Sequence, residues 1–375
     1  MSKIIVLGAG MVGTAIVFDL YKEHAITVAD INIAALEKLN KKYGVEILAL
    51  DIKNVDALQN AIANFDLVIS AVPGFMGFQT LKTIIESGKN VVDISFFPEN
   101  SLDLDALAKQ KNITAIVDCG VAPGMDNIIL GYHNAQMQVT DFVCMVGGLP
   151  KERKLPFQYK APFSPADVIE EYTRPARLVV NNQIVTKPAL TEIEHINFDK
   201  IGTLEAFNSD GLRSLIFTMK HIPNMVEKTL RYPGHAGLMM ALRDGGFFSE
   251  QAITIKNTVI SPLEFSSKIL FREWKLNQED EEFTVMRIVV KGIENGKEKT
   301  ISWNLFDETD KVNGMSSMAR TTGFTCTAAA RLILTNLFSQ KGIITPELIG
   351  AKKECFNFIL QELKNRNVIY QQNEN

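Results

Sequence analysis

The chain has 375 residues, 46% of them apolar, with 39 Lys and Arg against 43 Asp and Glu for a formal charge of −4. That length and apolar content suffice for two or three domains with real cores. The near-balanced charge leaves no footprint for a nucleic-acid or membrane-surface partner, and no apolar window reaches the ~18 residues needed to cross a bilayer.

Met1 runs almost directly into an apolar strand with no signal-like segment, and Cys119, Cys144, Cys326 and Cys355 lie far apart without C-x-x-C spacing. The expectation is a cytoplasmic protein with reduced thiols. No H-x-x-x-H or H-E-x-x-H spacing occurs, so metal catalysis is disfavoured.

The chain is organised around Lys3 to Asp30. Ile4 to Leu7 fit a buried parallel strand, Gly8-Ala9-Gly10-Met11-Val12-Gly13 reads G-x-G-x-x-G, and Thr14 to Tyr21 reads as helix. A second strand, Ile26 to Ala29, ends on Asp30. In that order the glycines permit a tight turn, close approach of a pyrophosphate and close helix packing. The helix amides then face the phosphates, and Asp30 is placed to accept the adenine ribose hydroxyls. Asp30 would repel a 2′-phosphate, and Ile31, Asn32 and Ile33 supply no cation, so NAD is favoured over NADP.

Strands and helices keep alternating, the signature of a doubly wound parallel sheet. Helices are expected at Ile33 to Tyr43, Val55 to Asn64, Gln79 to Glu86 and Leu102 to Gln110. Strands are expected at Val45 to Leu50, Leu67 to Ser70, Asn90 to Ile94 and Ile113 to Val117. Asp51 and Ile52 follow the third strand, where Asp51 is either an adenine contact or an N-cap. Ala71-Val72-Pro73 closes the fourth strand at the ligand-binding edge of such sheets, and Asp93, Ser95 and Asp118 reach the same edge.

Val121-Ala122-Pro123 marks the exit from this domain. Beyond a helix over Asp126 to Met137, strands are expected at Phe142 to Val146, Arg177 to Val180, Gln183 to Thr186, Leu204 to Phe207, Phe265 to Phe271, Thr284 to Lys291 and Thr300 to Asn304. Asn295-Gly296 signals a hairpin between the last two. Helices from about Gly323 to Ser339 and from Pro346 to Asn365 close the chain, before a polar tail, Gln371 to Asn375, expected to be disordered. The expected architecture is a Rossmann domain (1–121), an inserted α+β substrate and dimerisation domain with a mixed sheet (122–318), and C-terminal helices returning to the Rossmann domain (319–375).

A nicotinamide enzyme also needs an orienting charge and a proton-handling group. Arg174, Arg177, Arg213, Arg231 and Arg320 are candidates for a carboxylate clamp, because a guanidinium grips a carboxylate through two parallel hydrogen bonds. His235, after Tyr232-Pro233-Gly234, is the histidine best placed for a site. Asp93, Asp118, Tyr159 and Lys160 are the titratable groups near the domain junction, and the residues leave the choice among them open.

The phrases GLPKERKLPFQYKAPFSPADVIEEYTRPAR, VAPGMDN, SDGLRS and TLRYPGH, with VLGAGMVG and VPGF, occur in order over nearly the whole chain. Together they resemble the saccharopine dehydrogenase-like family, most closely its lysine 6-dehydrogenase branch. The resemblance implies a dimeric NAD(P)-dependent enzyme acting on a C–N bond of a lysine-derived amino acid. It implies cofactor contacts at Gly8 to Gly13, Asp30, Asp51, Ile52, Ala71 to Pro73 and Val121 to Pro123. It also implies substrate contacts near Ser95, at Ser164, and at Thr229, Leu230 and Arg231, which makes Arg231 the preferred clamp. Saccharopine-forming members have an aspartate where this chain has Ala122, a cysteine where it has Val146 and an arginine where it has Ser209. Loss of that arginine fits a smaller substrate, free lysine oxidised at its ε-carbon. Saccharopine, a polyamine-derived amino acid, and a catalytically silent NAD sensor are the other readings.

Overall fold

The structure, a computed structural model, describes every residue except Gln278 and Asn375, and the side chain of Glu374. The first half alternates β1 (Lys3–Leu7), α1 (Met11–Leu20), β2 (Ala25–Asp30), α2 (Ile33–Tyr43), β3 (Glu46–Ala49), α3 (Val55–Ile62), β4 (Leu67–Ser70), α4 (Gly74–Glu86), β5 (Val91–Asp93), α5 (Asp105–Gln110) and β6 (Thr114–Ile116). Side chains alternate across β1: Ile5 and Leu7 pack with Leu58 of α3 and Leu81 of α4, while Ile4 and Val6 join the core that holds Ile16 of α1. A strand buried on both faces has to be apolar where it is buried, as Ile4 to Leu7 of β1 are.

The second half comprises α6 (Met125–Asn134), β7 (Gln138–Pro150), α7 (Pro165–Thr173), β8 (Ala176–Val180), β9 (Gln183–Lys187), β10 (Glu194–Phe198), β11 (Gly202–Asn208), α8 (Leu215–Thr218), β12 (Asn224–Arg231), α9 (His235–Asp244), β13 (Ile253–Ile255), β14 (Thr258–Ile260), α10 (Pro262–Glu273), β15 (Glu282–Glu294) and β16 (Lys297–Glu308). It ends with α11 (Ser317–Leu334), β17 (Gly342–Ile344), α12 (Pro346–Gly350), α13 (Lys353–Asn365) and β18 (Tyr370–Glu374).

Two large sheets organise these elements, and β13 and β14 form a separate two-stranded hairpin. The parallel one runs β17-β6-β5-β4-β1-β2-β3, so the chain returns to its first sheet near the end. The other runs β10-β11-β12-β7-β15-β16-β18, with the β8–β9 hairpin on β12. It is mixed because β12 lies parallel to β7 between antiparallel neighbours. In α11, Gly323 lets the helix lie against α1, where an added Cβ would stand 3.1 Å from the Ala15 Cβ. Arg331 of α11 fixes the crossing by donating to Asp19 at 2.7 Å.

The Rossmann sheet, the mixed sheet and the Asn295-Gly296 hairpin agree with the sequence reading, and Asn295 and Gly296 have φ of 52° and 76° as a tight hairpin turn needs. Phe265 to Phe271 is helical rather than a strand, lying inside α10. Ser261 caps that helix by accepting from Glu264 N, Pro262 opens it, and Ser266 and Leu270 turn inward four residues apart. The closing helix is broken into α12 and α13. Gln371 to Glu374 of the polar tail are ordered by pairing with β16, and Asn375 lies outside the described residues. Among the described residues no helix is long and apolar enough to cross a membrane.

Candidate active site

At the end of β1 the chain turns through Gly8 at φ +111°, where a Cβ would stand 2.4 Å from the Ala71 carbonyl oxygen. A Cβ on Gly13 would meet the Gly8 carbonyl oxygen at 2.1 Å, so these two glycines are required by packing. Gly10 differs, since nothing lies within 4 Å of its Cβ position. Among the described residues the amides of Met11, Val12 and Gly13 donate no hydrogen bond. A bare, open turn with free amides at a helix start is the cradle that a dinucleotide pyrophosphate fits. Asp30 lies beside it: Oδ2 accepts the Ala9 amide at 2.7 Å and Oδ1 the Asn32 amide at 2.8 Å, which fixes the carboxylate against the turn. Asp51 accepts the Lys53 amide at 3.0 Å.

This turn opens into a cavity of about 720 Å³ between the two sheets. Every expected cofactor contact except Ala9 lines it, including Ile52, Ala71 to Pro73 and Val121 to Pro123. The far end is built by the parallel pair β7 and β12. Gly147 lacks the Cβ that would collide with the Leu230 carbonyl oxygen at 2.5 Å, and so admits β12 alongside.

Of the expected substrate contacts, Ser164, Arg174, Thr229 and Arg231 line this far end. Arg231 is buried and already engaged: Nη2 pairs with Glu171, Nε donates to Tyr172 Oη at 3.1 Å, and the guanidinium lies 4.5 Å from the Tyr159 ring centre. Ser95, Arg213, Leu230 and His235 are not in the lining. Ser95 instead donates through its amide and hydroxyl to Asp93. Arg213 is taken up by Asp118 at 2.9 Å. Leu230 alternates with Thr229 and Arg231 along β12 and so faces the opposite side. His235 is clamped between Tyr172 Oη at 2.9 Å and the Phe157 carbonyl at 2.8 Å, and burial pushes its imidazole down to about 3. That histidine is a neutral brace. Arg177 is gripped by Asp210 through two bonds of 2.8 Å, and Arg320 pairs with Asp307 and Asp310.

None of the four titratable candidates lines the cavity either. Asp93 is fully buried, and burial raises its carboxyl to about 7. Asp118 is paired with Arg213. Tyr159 lies under Arg231 with its phenol pushed well up by burial. Lys160 points outward, donating to the Glu273 carbonyl at 3.0 Å.

The sequence reading missed the carboxylates that do face the cavity: Asp167, Glu170, Glu171, Asp210 and Glu227. Asp167 holds the Gly74 amide, with burial lifting its carboxyl to about 6. Glu227 Oε2 accepts from Ser209 Oγ at 2.8 Å, and Ser209 Oγ shares a second 2.8 Å bond with Thr229 Oγ1. Burial pushes Glu227 up to about 8, aided by the neighbouring carboxylates of Asp126, Glu171 and Asp210. A usable signal was present: Glu227, Thr229 and Arg231 recur at period two and so share one face of a strand. Chemically, the far end offers guanidinium groups to a carboxylate and carboxylates to an ammonium.

A family model described as saccharopine dehydrogenase NADP binding domain matches residues 4–116, and the saccharopine dehydrogenase C-terminal domain matches residues 120–369. The saccharopine dehydrogenase [NADP(+), L-glutamate-forming] of Saccharomyces cerevisiae is 24% identical, covering 98% of both chains. The mitochondrial α-aminoadipic semialdehyde synthase of Mus musculus is 22% identical over 98% of this chain, which spans only about half, 47%, of that relative's length. In fold, the apo yeast saccharopine dehydrogenase superposes with a TM-score of 0.81 at 20% identity over 100% of both chains. The Legionella pneumophila homospermidine synthase, solved with NAD, gives 0.69 at 12% identity over 100% of this chain and 91% of its own. With matches over both halves of the molecule, the chain belongs to the saccharopine dehydrogenase family of oxidoreductases.

Proposed function

We propose that the protein oxidises L-lysine at its ε-carbon with NAD, releasing ammonia and the semialdehyde, which cyclises. The observation that carries this reading is the continuous cavity joining the glycine turn to an end that holds both arginines and carboxylates. Gly8 to Gly13 and Asp30 would hold the dinucleotide, and a nicotinamide dinucleotide supplies the hydride acceptor when bound. Arg174 and Arg231 orient the substrate carboxylate, and the acidic lining receives its amines. Excluding bulk water strengthens each of these contacts. Ser209, where saccharopine-forming relatives have an arginine, supports a substrate without the extra glutamate arm.

Loss of the ε-ammonium proton frees a nitrogen lone pair, hydride departure from the ε-carbon leaves an iminium, and water converts that to aldehyde and ammonium. NAD is favoured over NADP because Asp30 faces the sugar end and Ile31 and Ile33 are exposed apolar residues. Saccharopine with NADP is the second reading, favoured by the relatives' names and by the family model. A homodimer in the cytoplasm belongs to the first reading.

A panel of L-lysine, saccharopine and polyamine-derived amino acids, offered with NAD and with NADP, tests the proposal. L-Lysine with NAD is expected to give ammonia and the cyclised product. Turnover of saccharopine with NADP and none of lysine would replace it, and tight dinucleotide binding without any turnover would favour a sensor.

A further inference from the structure

Among the described residues seven carboxylates line the cavity, and six of them are spoken for. Asp30 and Asp51 accept backbone amides at the dinucleotide end. Asp167 accepts the Gly74 amide, Glu170 pairs with Arg174, Glu171 with Arg231, and Asp210 with Arg177. Glu227 is the exception. Its side chain is buried, with only 5% of the residue exposed, and Oε2 accepts the Ser209 hydroxyl. Among the described residues Oε1 has no hydrogen-bond donor and no cation pairs with the carboxylate. The titratable groups that bear on it most are Asp126 on α6, Cys144 on β7, Glu171 on α7, which Arg231 of the same strand pairs, and Asp210 after β11, which Arg177 pairs.

Resting on the amine-oxidising reading above, we propose that Glu227 is the proton acceptor of the reaction, with Oε1 receiving the reacting ammonium and removing one proton from it. The balance is simple. The substrate ammonium gives one proton to Glu227 Oε1, forming the carboxylic acid and the free amine. The amine lone pair becomes the C=N bond as hydride passes from carbon to the nicotinamide dinucleotide, and water then displaces ammonium. The proton on Glu227 leaves to solvent before the next turnover.

The surroundings suit this task. A free alkyl ammonium titrates near ~10.4 and an ordinary glutamate near ~4.3, a gap that makes the transfer steeply uphill. Burial among acids brings Glu227 up to about 8 and closes most of that gap. Ser209 and Thr229 hold the carboxylate of this cavity-lining residue in place by the chain of hydroxyl contacts to Oε2, leaving Oε1 without a donor among the described residues.

The test uses full-length protein saturated with NADH, labelled with carbon-13 at glutamate carboxyls. The resonance missing from E227Q identifies Glu227. It is expected to titrate with a midpoint about 8 and to shift on addition of L-lysine but not of L-norleucine, which has the α-amine and lacks the ε-amine. In turnover, E227Q is expected to lose roughly 10²–10⁴-fold in kcat and to lose the acidic limb of the kcat/KM profile, with NADH affinity unchanged. An ordinary glutamate midpoint overturns the proposal whatever the substrate, as does an equal response to norleucine. Amine oxidation by E227Q at the wild-type rate overturns this proposal alone, while failure of every amine to reduce the cofactor overturns the parent reading and this one with it.

Discussion

Arg231 and Glu171 form a buried ion pair at the wall of the cavity, β12 supplying the cation and α7 the anion. Removing one partner from such a pair costs about 3–5 kcal/mol, because the other charge is left stranded. R231M is therefore expected to lower stability by that order, and R231M/E171Q by clearly less. Both variants should show a raised KM for the amino acid, by at least about tenfold, since a charge-assisted hydrogen bond contributes roughly 1.5–3 kcal/mol. Denaturant unfolding and steady-state kinetics on the three proteins separate the structural share of Arg231 from its share in substrate binding.

The three glycines of the turn divide by what surrounds them. G13A forces a Cβ onto the Gly8 carbonyl oxygen and should destabilise the fold by about 1–3 kcal/mol through overpacking. G10A places its methyl group in open space at a φ of −72°, so melting should be nearly unchanged. That same methyl occupies the pyrophosphate's approach, and dinucleotide affinity should fall at least tenfold. Thermal melting paired with NADH fluorescence titration reads both.

Asp30 sets cofactor choice in this account. D30N keeps an acceptor for the Ala9 amide while removing the charge that repels a 2′-phosphate. The ratio of NADP to NAD affinity should rise by about tenfold, the scale of one ~1.4 kcal/mol electrostatic contact. An unchanged ratio would show that Asp30 does not face the ribose.

Stability should pass through a maximum in pH. Burial raises Glu282 to about 8 and Asp126 to about 7, above their unfolded values near ~4, so between those limits the folded protein holds more protons than the unfolded chain. That stability is fully present below pH ~4 and is lost progressively as pH rises from there through 7 to 8. His235 acts oppositely: with its folded value about 3 and an unfolded value near ~6.5, the unfolded chain takes up the extra proton, and stability falls as pH drops below about 6.5. Between pH ~4 and ~6.5 the two acids outweigh the one imidazole, so melting temperature is expected to peak near pH ~4, with E282Q flattening the alkaline limb and H235N the acid limb.

The parallel sheet, the glycine turn and Asp30 were legible because each depends on local pattern: apolar runs, spaced glycines and an acid at a strand end. Phe265 to Phe271 misled because its apolar residues lie where either period fits, and only the Ser261 cap and inward Ser266 and Leu270 decide for a helix. The tail misled because pairing of Tyr370 to Glu374 with β16 is a long-range contact that no local composition reports. Asp118 and Lys160 sit near the junction in sequence, yet distant partners, Arg213 and the Glu273 carbonyl, take them out of the cavity, and Asp93 is held by neighbouring Ser95. Glu227 was hidden for the converse reason, since its significance comes from having no cation paired with it among the described residues, which only the fold defines.

The most direct measurement follows deuterium from L-lysine labelled at the ε-carbon into the cofactor. The account predicts that reduced NAD isolated after turnover carries one deuterium, with ammonia released in equal amount. Unlabelled reduced cofactor, or reduction only when the label sits on the α-carbon or when saccharopine replaces lysine, would contradict it.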